Sequence, residues 1–114
     1  MNRSAVISKN KKYRYELSRI WSESPKITFI MLNPSVGNET CDDKTIKRLI
    51  FFTKKFGYGG FYVGNIFPNI NTKVNDLYLD VSHDEKKNRK HVSSMINKSE
   101  SVVYAWGKTI DNPP

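Results

Sequence analysis

Amide side chains lie at or near the ends of two apolar segments of this 114-residue chain, and a glycine follows a third. The three residues are Asn33, Asn65 and Gly107. A carboxamide carries two hydrogen-bond donors and an acceptor oxygen, so two of them at one place could recognise the edge of a nucleobase or orient a water molecule. A plainer alternative exists for Asn33, because the sequence Asn-Pro-Ser is also typical of a simple turn.

Two adjacent carboxylates, Asp42 and Asp43, follow Asn33 closely and are candidates for acid/base catalysis near it. Their alternative role is structural, since an aspartate can cap a helix and is favoured at the positive N-terminal end of its dipole. With Asn33, they make up the predicted catalytic set.

Other kinds of chemistry find little support in the sequence. Cys41 is the only cysteine, which excludes an internal disulfide and a Cys-rich metal site. His83 and His91 lack a metal-ligand spacing and are expected to be surface residues. The Gly-rich segment 57–60 precedes a predicted strand rather than a helix, so it does not fit a phosphate-binding loop. We therefore expect no metal and no cofactor.

The elements that must position these residues are three buried strands and two helices. Apolar runs bounded by turn residues predict strands at 27–32, 61–67 and 101–106. Apolar residues at three- and four-residue steps predict helices over 43–56 and 84–98. A short helical turn at 74–79 and the start of a further helix at 108–110 are also expected.

The N-terminal part is predicted to be less regular. Residues 1–12 are polar and basic and are expected to form a loose basic arm or an edge. Aromatic and charged residues alternate over 13–17, which is typical of a half-exposed strand. Because only the short turn 22–26 separates it from the strand at 27–32, we expect these two strands to pair antiparallel.

Alternating strands and helices predict a single α/β domain over residues 1–114, a three-layer α/β/α sandwich with a mainly parallel central sheet. In such sheets ligands bind where the carboxyl ends of the strands meet. Asn33, Asn65 and Trp106 should therefore converge on one pocket. The predicted ligand-binding residues are Pro34, Ser35, Asn65, Phe67, Trp106 and Gly107.

The net charge of +8 favours a polyanionic partner, DNA or RNA. The lysine-rich excess indicates contacts with phosphates rather than with base edges, and Lys44, Lys47 and Arg48 are the predicted nucleic-acid contacts. The alternative is that the charge only keeps the protein in solution. No apolar run is long enough for a membrane span and no signal segment is evident, so we expect a cytoplasmic protein without a membrane partner. The sequence leaves the oligomeric state open.

Six short segments together carry a resemblance to a known family. They are Tyr-Arg-Tyr at 13–15, Ile-Met-Leu-Asn-Pro-Ser at 30–35, Asp-Asp-Lys-Thr-Ile at 42–46, Gly-Tyr-Gly at 57–59, Asn-Ile-Phe at 65–67 and Ala-Trp-Gly at 105–107. In this combination the chain resembles, over about residues 13 to 108, a family of uncharacterised bacterial and phage proteins described only as a domain of unknown function.

A more distant resemblance implies a chemistry. The segment 30–35 is similar to the loop of the uracil-DNA glycosylase superfamily in which an Asp or Asn activates water, which implies a water-positioning role for Asn33. The segment 61–65 resembles the strand whose final Asn binds the extruded base, which implies that Asn65 recognises a base edge. The segment 102–107 is similar to a strand ending in Leu-Trp-Gly.

The chain also departs from that superfamily. Ser35 stands where a Gly or Tyr is expected, and the sequence after Gly107 contains no His-bearing loop of the kind that stabilises the leaving base. We therefore expect a fold shortened at its C-terminus. The expected function is nucleic-acid or nucleotide binding with impaired glycosylase-like chemistry. The alternatives are a non-catalytic protein-interaction module of phage or mobile-element origin, or an enzyme acting on a free nucleotide.

Overall fold

The computed structural model describes residues 1–34, 37–70 and 85–105. Five strands and two helices follow one another in the described ranges. Their bounds are β1 Asn2–Ile7, β2 Arg14–Ile20, β3 Ile27–Met31, α1 Lys44–Lys55, β4 Gly60–Asn65, α2 Glu85–Asn97 and β5 Ser101–Ala105. The predicted helical turn at 74–79, the helix start at 108–110 and His83 lie outside the described residues.

The five strands form one mixed sheet in the order β1-β2-β4-β3-β5. β4, β3 and β5 run parallel, whereas β1 pairs antiparallel with β2 and β2 pairs antiparallel with β4. The prediction of an α/β fold is confirmed. The prediction of a mainly parallel sheet is wrong, because the N-terminal strands add two antiparallel pairings to the parallel ones.

The predicted pairing of β2 with β3 is also wrong, because β4 lies between these two strands. The segment joining β2 to β3 crosses the start of β4, where Trp21 N and Ser22 N donate to Gly59 O and Gly59 N donates to Pro25 O. A Cβ on Gly59 would lie 2.4 Å from Ser24 O. Only glycine therefore permits this close crossing.

Residues 1–12, which were expected to form a loose arm or an edge, contain an edge strand. Asn2–Ile7 pairs along β2, from Asn2 opposite Ile20 to Ile7 opposite Arg14, and forms one edge of the sheet. The register shifts between Val6 and Ile7. Such a bulge inserts an extra residue and re-aims the side chains next to it.

The bulge accounts for the burial at the start of β2. The predicted half-exposed strand is wrong here, since Tyr13, Arg14 and Tyr15 are all buried. Tyr15 and Glu16 are consecutive, yet both contact His91 of α2. Strict alternation would place these two side chains on opposite faces of the sheet. Because the bulge puts both on the α2 face, Arg14 lies on the α1 face.

The helices cover opposite faces of the sheet. Ile46 and Leu49 of α1 pack with the odd-numbered residues Phe29 and Val63 in the main apolar cluster. On the other face, Met95 O of α2 accepts a hydrogen bond from the Thr28 hydroxyl at 3.1 Å. Successive strand residues point to opposite faces, which is why α1 and α2 meet alternate residues. Both helices lie within about one residue of their predicted bounds.

Candidate functional site

Asn33 and Asn65 lie at the same edge of the sheet. β3 and β4 are parallel, and Met31 pairs with Asn65. The ladder continues past the strands, where Phe67 N donates to Leu32 O at 2.9 Å. Asn33 therefore lies two residues beyond the partner of Asn65.

The third predicted member of this edge cannot be placed. Ala105, the last residue of β5, pairs with Met31, so β5 ends at the same edge of the sheet as β3 and β4. Trp106, Gly107 and Ser35 lie outside the described residues. Of the remaining predicted ligand-binding residues, Pro34 is buried and Phe67 is half-buried.

The side chain of Asn65 is buried at the end of β4. The residue is 1% exposed, and within the described part of the chain neither Nδ2 nor Oδ1 is bonded. Val63 belongs to the cluster with α1, so alternation along β4 directs the Asn65 side chain to the α1 face. A buried polar group without a partner costs about 1–3 kcal/mol, and this amide has one donor group and one acceptor unused.

Asn88 of α2 holds the backbone of Asn65 from the opposite face. Its Nδ2 donates to Asn65 O at 2.8 Å and, at the longer distance of 3.4 Å, to Ile66 O. Both residues contribute to a cavity of about 320 Å³ between these strand ends and α2, which Arg89 and Ser93 also line. Asn88 is therefore a positioning residue for the end of β4.

Arg14 is a buried cation at the same sheet edge. Its backbone N donates to Pro68 O, just beyond the end of β4. Its side chain is directed to the α1 face, where Nη1 donates to Gly37 O at 2.6 Å and Nε has no partner among the described residues. Burial lowers the pKa of Arg14 to about 10, against the attraction of Asp43, so the group is charged at neutral pH. It can therefore offer a spare charged donor.

A second buried arginine, Arg19, holds the loop of residues 37–43 that leads from the strand end to α1. Its guanidinium donates to Asp42 Oδ1 at 2.8 Å, to Cys41 O at 3.2 Å and to Asn38 O. Asn38 folds the same loop on itself, because its Oδ1 accepts from Cys41 N at 2.8 Å. The loop is thus fixed by side chains that come from β2.

Both predicted catalytic carboxylates have structural partners. Asp42 binds Arg19 and, at 3.1 Å, Arg3. Burial raises the pKa of Asp42, but the hydrogen bonds and charges of Arg19 and Arg3 outweigh this and hold the pKa below its ordinary value. Asp43 caps α1 by accepting from Ile46 N at 2.9 Å, which is the alternative role considered for it. Both carboxylates therefore lie in the loop beside the Asn33 edge, but each is already bonded to other protein groups.

The predicted nucleic-acid contacts Lys44, Lys47 and Arg48 lie exposed on α1. Ile46, in the first turn of α1, approaches Gly37 closely, since a Cβ on Gly37 would lie 2.9 Å from Ile46 Cγ1. The N-terminal end of α1 is therefore adjacent to the loop that Arg14 binds. These cations flank the same face of the sheet edge as the Asn65 amide.

Sequence reasoning missed Arg14, Arg19 and Asn88. The two arginines belong to a strand predicted to be half-exposed, and nothing local in the sequence indicates that they bind carbonyl groups more than 18 residues away. Asn88 did leave a signal, because it is a polar residue beside the apolar stripe of α2 at Val92, Met95 and Ile96. A polar residue at the edge of a buried helix face is a candidate for a specific hydrogen bond.

Two further features are absent from the described ranges. No group of three or more His, Cys, Asp or Glu side chains in residues 1–34, 37–70 and 85–105 could hold a metal ion. Neither of the described helices is long and apolar enough to cross a membrane.

Comparison with known proteins gives a family but no function. No curated protein and no solved structure matches the chain. The family model described as "Protein of unknown function (DUF1643)" matches residues 14–113, which include every described element except β1. The chain therefore belongs to the DUF1643 family of proteins of unknown function.

Proposed function

We propose that this protein binds a nucleic acid or a nucleotide at the carboxyl edge of its sheet, on the face covered by α1. The observation that carries the proposal is the buried Asn65 amide, whose Nδ2 and Oδ1 have no partner among the described residues. An asparagine amide can bond both a donor and an acceptor on the edge of a base. A nucleobase would satisfy both atoms at once.

The charges around this edge support the same class of ligand. Arg14 offers a buried, charged Nε–H, and the exposed Lys44, Lys47 and Arg48 continue the positive surface outward along α1. Phosphate groups are the common biological partners of such cations. A base held by Asn65 with phosphates along α1 accounts for both features.

The base chemistry of this proposal is glycosylase-like and weak. It rests on the resemblance to the uracil-DNA glycosylase superfamily and on a three-layer α/β/α sandwich of that kind, in which Asn33 would position a water molecule. Asp42 is bound by two arginines and Asp43 caps α1, so neither is available as a general base. We further propose a cytoplasmic location.

The binding proposal is tested by titrating the protein with mononucleotides and with single- and double-stranded oligonucleotides. We expect binding that Asn65→Leu abolishes, because leucine keeps the branched shape of the side chain but neither hydrogen-bonding atom. Lys98→Gln, just beyond the end of α2 on the opposite face, is the control and should bind as the wild type does. Wild-type affinity in Asn65→Leu, or no binding at low salt, would contradict the proposal.

The catalytic part has a separate test, base excision from uracil-containing oligonucleotides. We expect little or no product, because Asp42 is bound by two arginines and Asp43 caps α1, which leaves neither carboxylate to act as a general base. Robust multiple turnover that Asn33→Ala abolishes would show that the proposed impairment is wrong, while leaving the binding site intact.

A second candidate function, a protein-interaction module of phage or mobile-element origin, is favoured by exposed aromatic side chains on α1 and at its C-cap. Phe51, Phe52 and Phe56 are 64%, 49% and 69% exposed. Phe52 and Phe56 also line an apolar groove of about 190 Å³ with Val103 of β5. Large exposed apolar patches mark interaction surfaces. Loss of a protein partner, but not of nucleotides, in Phe56→Ser would favour this alternative.

A further inference from the structure

Glu16 of β2 and His91 of α2 form a hydrogen-bonded pair on the α2 face of the sheet, away from the Asn65 side chain. Glu16 Oε2 contacts His91 Nδ1, and the two side chains are only 18% and 23% exposed. The Tyr15 ring stacks on the imidazole with centroids 5.2 Å apart and planes at 15°. The imidazole is therefore fixed by a carboxylate at one nitrogen and by an aromatic ring on one face.

This hydrogen-bonded pair forms part of the wall of an open cavity of about 370 Å³. Lys87, Lys90 and Ser94 complete the wall. Together with His91 they occupy positions i, i+3, i+4 and i+7 of α2, which share one face of a helix. Because Nδ1 of His91 is engaged by Glu16, Nε2 is the ring nitrogen left for a ligand.

We propose that this cavity is a binding site for a tetrahedral oxyanion, a phosphate group, that is distinct from the strand-end site. Lys90 supplies charge, the Ser94 hydroxyl and the protonated His91 Nε2 supply hydrogen bonds, and Glu16 is a positioning residue. Charge-assisted hydrogen bonds of this kind are the strong ones in anion recognition. The inference does not depend on the proposed nucleic-acid function.

The chemistry requires that binding of the anion be linked to uptake of a proton. His91 can donate from Nδ1 to Glu16 and from Nε2 to an oxyanion at the same time only as an imidazolium. The other groups that face it are Glu16 and Tyr15 from β2, and Lys87 and Lys90 from α2. None of these residue types ordinarily titrates between pH 6 and 8. Binding should therefore tighten as the pH falls through this range.

The test is an NMR titration with sodium sulfate at constant ionic strength, at pH 6 and at pH 8. Sulfate is a dianion at both, so any pH dependence belongs to the protein. We expect saturable shifts at Lys90, His91 and Ser94, with severalfold tighter binding at pH 6. Equal affinity at the two pH values, or no saturable shift at His91, would overturn the proposal.

Variants separate the roles of the residues. His91→Gln and Ser94→Ala should each weaken sulfate binding, His91→Gln by about tenfold, the loss expected for one charge-assisted hydrogen bond. Lys55→Gln on α1 is the control that should bind normally. Glu16→Leu should weaken sulfate binding, because His91 loses the carboxylate that engages its Nδ1, and Glu16→Asp should restore part of it. Wild-type binding in both His91→Gln and Ser94→Ala would contradict the site.

The source of the phosphate is decided by two further ligands. An oligonucleotide with a 5′-phosphate that binds more tightly than its dephosphorylated form, and loses this preference in His91→Gln, supports a nucleic-acid end as the ligand. Equal binding of the two forms, with sulfate binding intact, supports a free phosphate or small phosphate ester. Failure of all oligonucleotide binding, with sulfate binding retained, would count against the proposed function only.

Discussion

Asn65 combines two properties that rarely occur together in a stable core. It is almost completely buried, and its amide has unused donor and acceptor atoms within the described structure. Each such group costs about 1–3 kcal/mol of stability. Asn88, on the opposite face of the sheet, is also buried, but its Nδ2 donates hydrogen bonds to the carbonyl groups of Asn65 and Ile66. Asn88 is thus a structural brace, whereas Asn65 is the residue on which the proposed binding site depends.

The substitution Asn65→Leu should leave the protein as stable as the wild type or stabilise it, by up to about 2 kcal/mol. The reason is that an apolar group of similar shape removes the desolvation cost of two unpaired polar atoms. Urea unfolding followed by circular dichroism measures the change in the free energy of unfolding.

Asn88→Leu is the matched comparison and should cost about 1–2 kcal/mol, because it removes a donor from two backbone carbonyl groups. If Asn65→Leu destabilises the protein as much as Asn88→Leu does, the Asn65 amide has a structural bond and the ligand argument loses its basis.

Asp42 shows how a carboxylate that fits a catalytic role by position can be structural by contact. Its partner Arg19 is fully buried, whereas Arg3 is 41% exposed. Asp42→Asn should therefore cost about 1.5–3 kcal/mol at pH 7, the range for a hydrogen bond to a charged group. Arg3→Gln should cost less than about 1 kcal/mol, as exposed ion pairs do. Urea unfolding of both variants measures this contrast.

The loss of stability in Asp42→Asn should depend on pH. The pKa of Asp42 is lowered in the folded protein, so its stabilising contribution is complete above the ordinary value of about 3.9. That contribution is lost as the pH falls from this value through the folded pKa. The difference in stability between wild type and Asp42→Asn should thus be constant near neutrality and shrink below about pH 4. A difference that does not shrink below pH 4 would contradict the assigned cause.

At the scale of the elements, local signals in the sequence were sufficient for some features and not for others. The strand β3 and the helix α1 follow from an apolar run ended by Pro34 and from a helical period begun at Asp43, and both lie where predicted. These signals concern neighbours within one or two turns. The parallel pairing of β3 with β4 follows because a helix connects them.

Strand order was beyond local reasoning. A short connection usually joins neighbouring antiparallel strands, yet the one after Ile20 passes the start of β4 before β3 begins. This crossing depends on the absence of a side chain at Gly59, about 37 residues further along the chain. The sequence displays the glycine but not the strand that it crosses.

The buried arginines illustrate the same limit at the candidate site. Alternating aromatic and charged residues normally indicate a strand with one wet face. In β2 that face is covered by the loop of residues 37–43, whose carbonyl groups bind Arg14 and Arg19. The position of Asn33 and Asn65 at one sheet edge could be predicted from the strand ends alone. The position of Arg14 beside them could not, because the carbonyl group that it binds lies in a distant loop.

The whole molecule has a basic helix on each face of its sheet. α1 exposes Lys44, Lys47 and Arg48, and α2 exposes Lys86, Arg89 and Lys90, with Lys98 just beyond its end. A long-range attraction for polyanions would be shared by both faces. A specific site would lie on one face only, because the Asn65 amide and Arg14 are directed to the α1 face. The distribution of charge therefore permits a test of which face binds a nucleic acid.

Nucleic-acid binding should weaken steeply as salt rises, and mainly through α1. Each phosphate neutralised contributes about 0.7 to the log-log salt slope for a single strand and about 0.9 for B-DNA. Replacing Lys44, Lys47 and Arg48 by glutamine should reduce the slope by about 2 to 3 if each contacts one phosphate. The matched triple replacement of Lys86, Arg89 and Lys98 removes the same charge from the other face and should leave the slope nearly unchanged.

Fluorescence anisotropy with a labelled oligonucleotide measures both slopes. Equal losses in the two variants would indicate binding through net charge rather than through the strand-end site, and a slope near zero in the wild type would favour a protein partner.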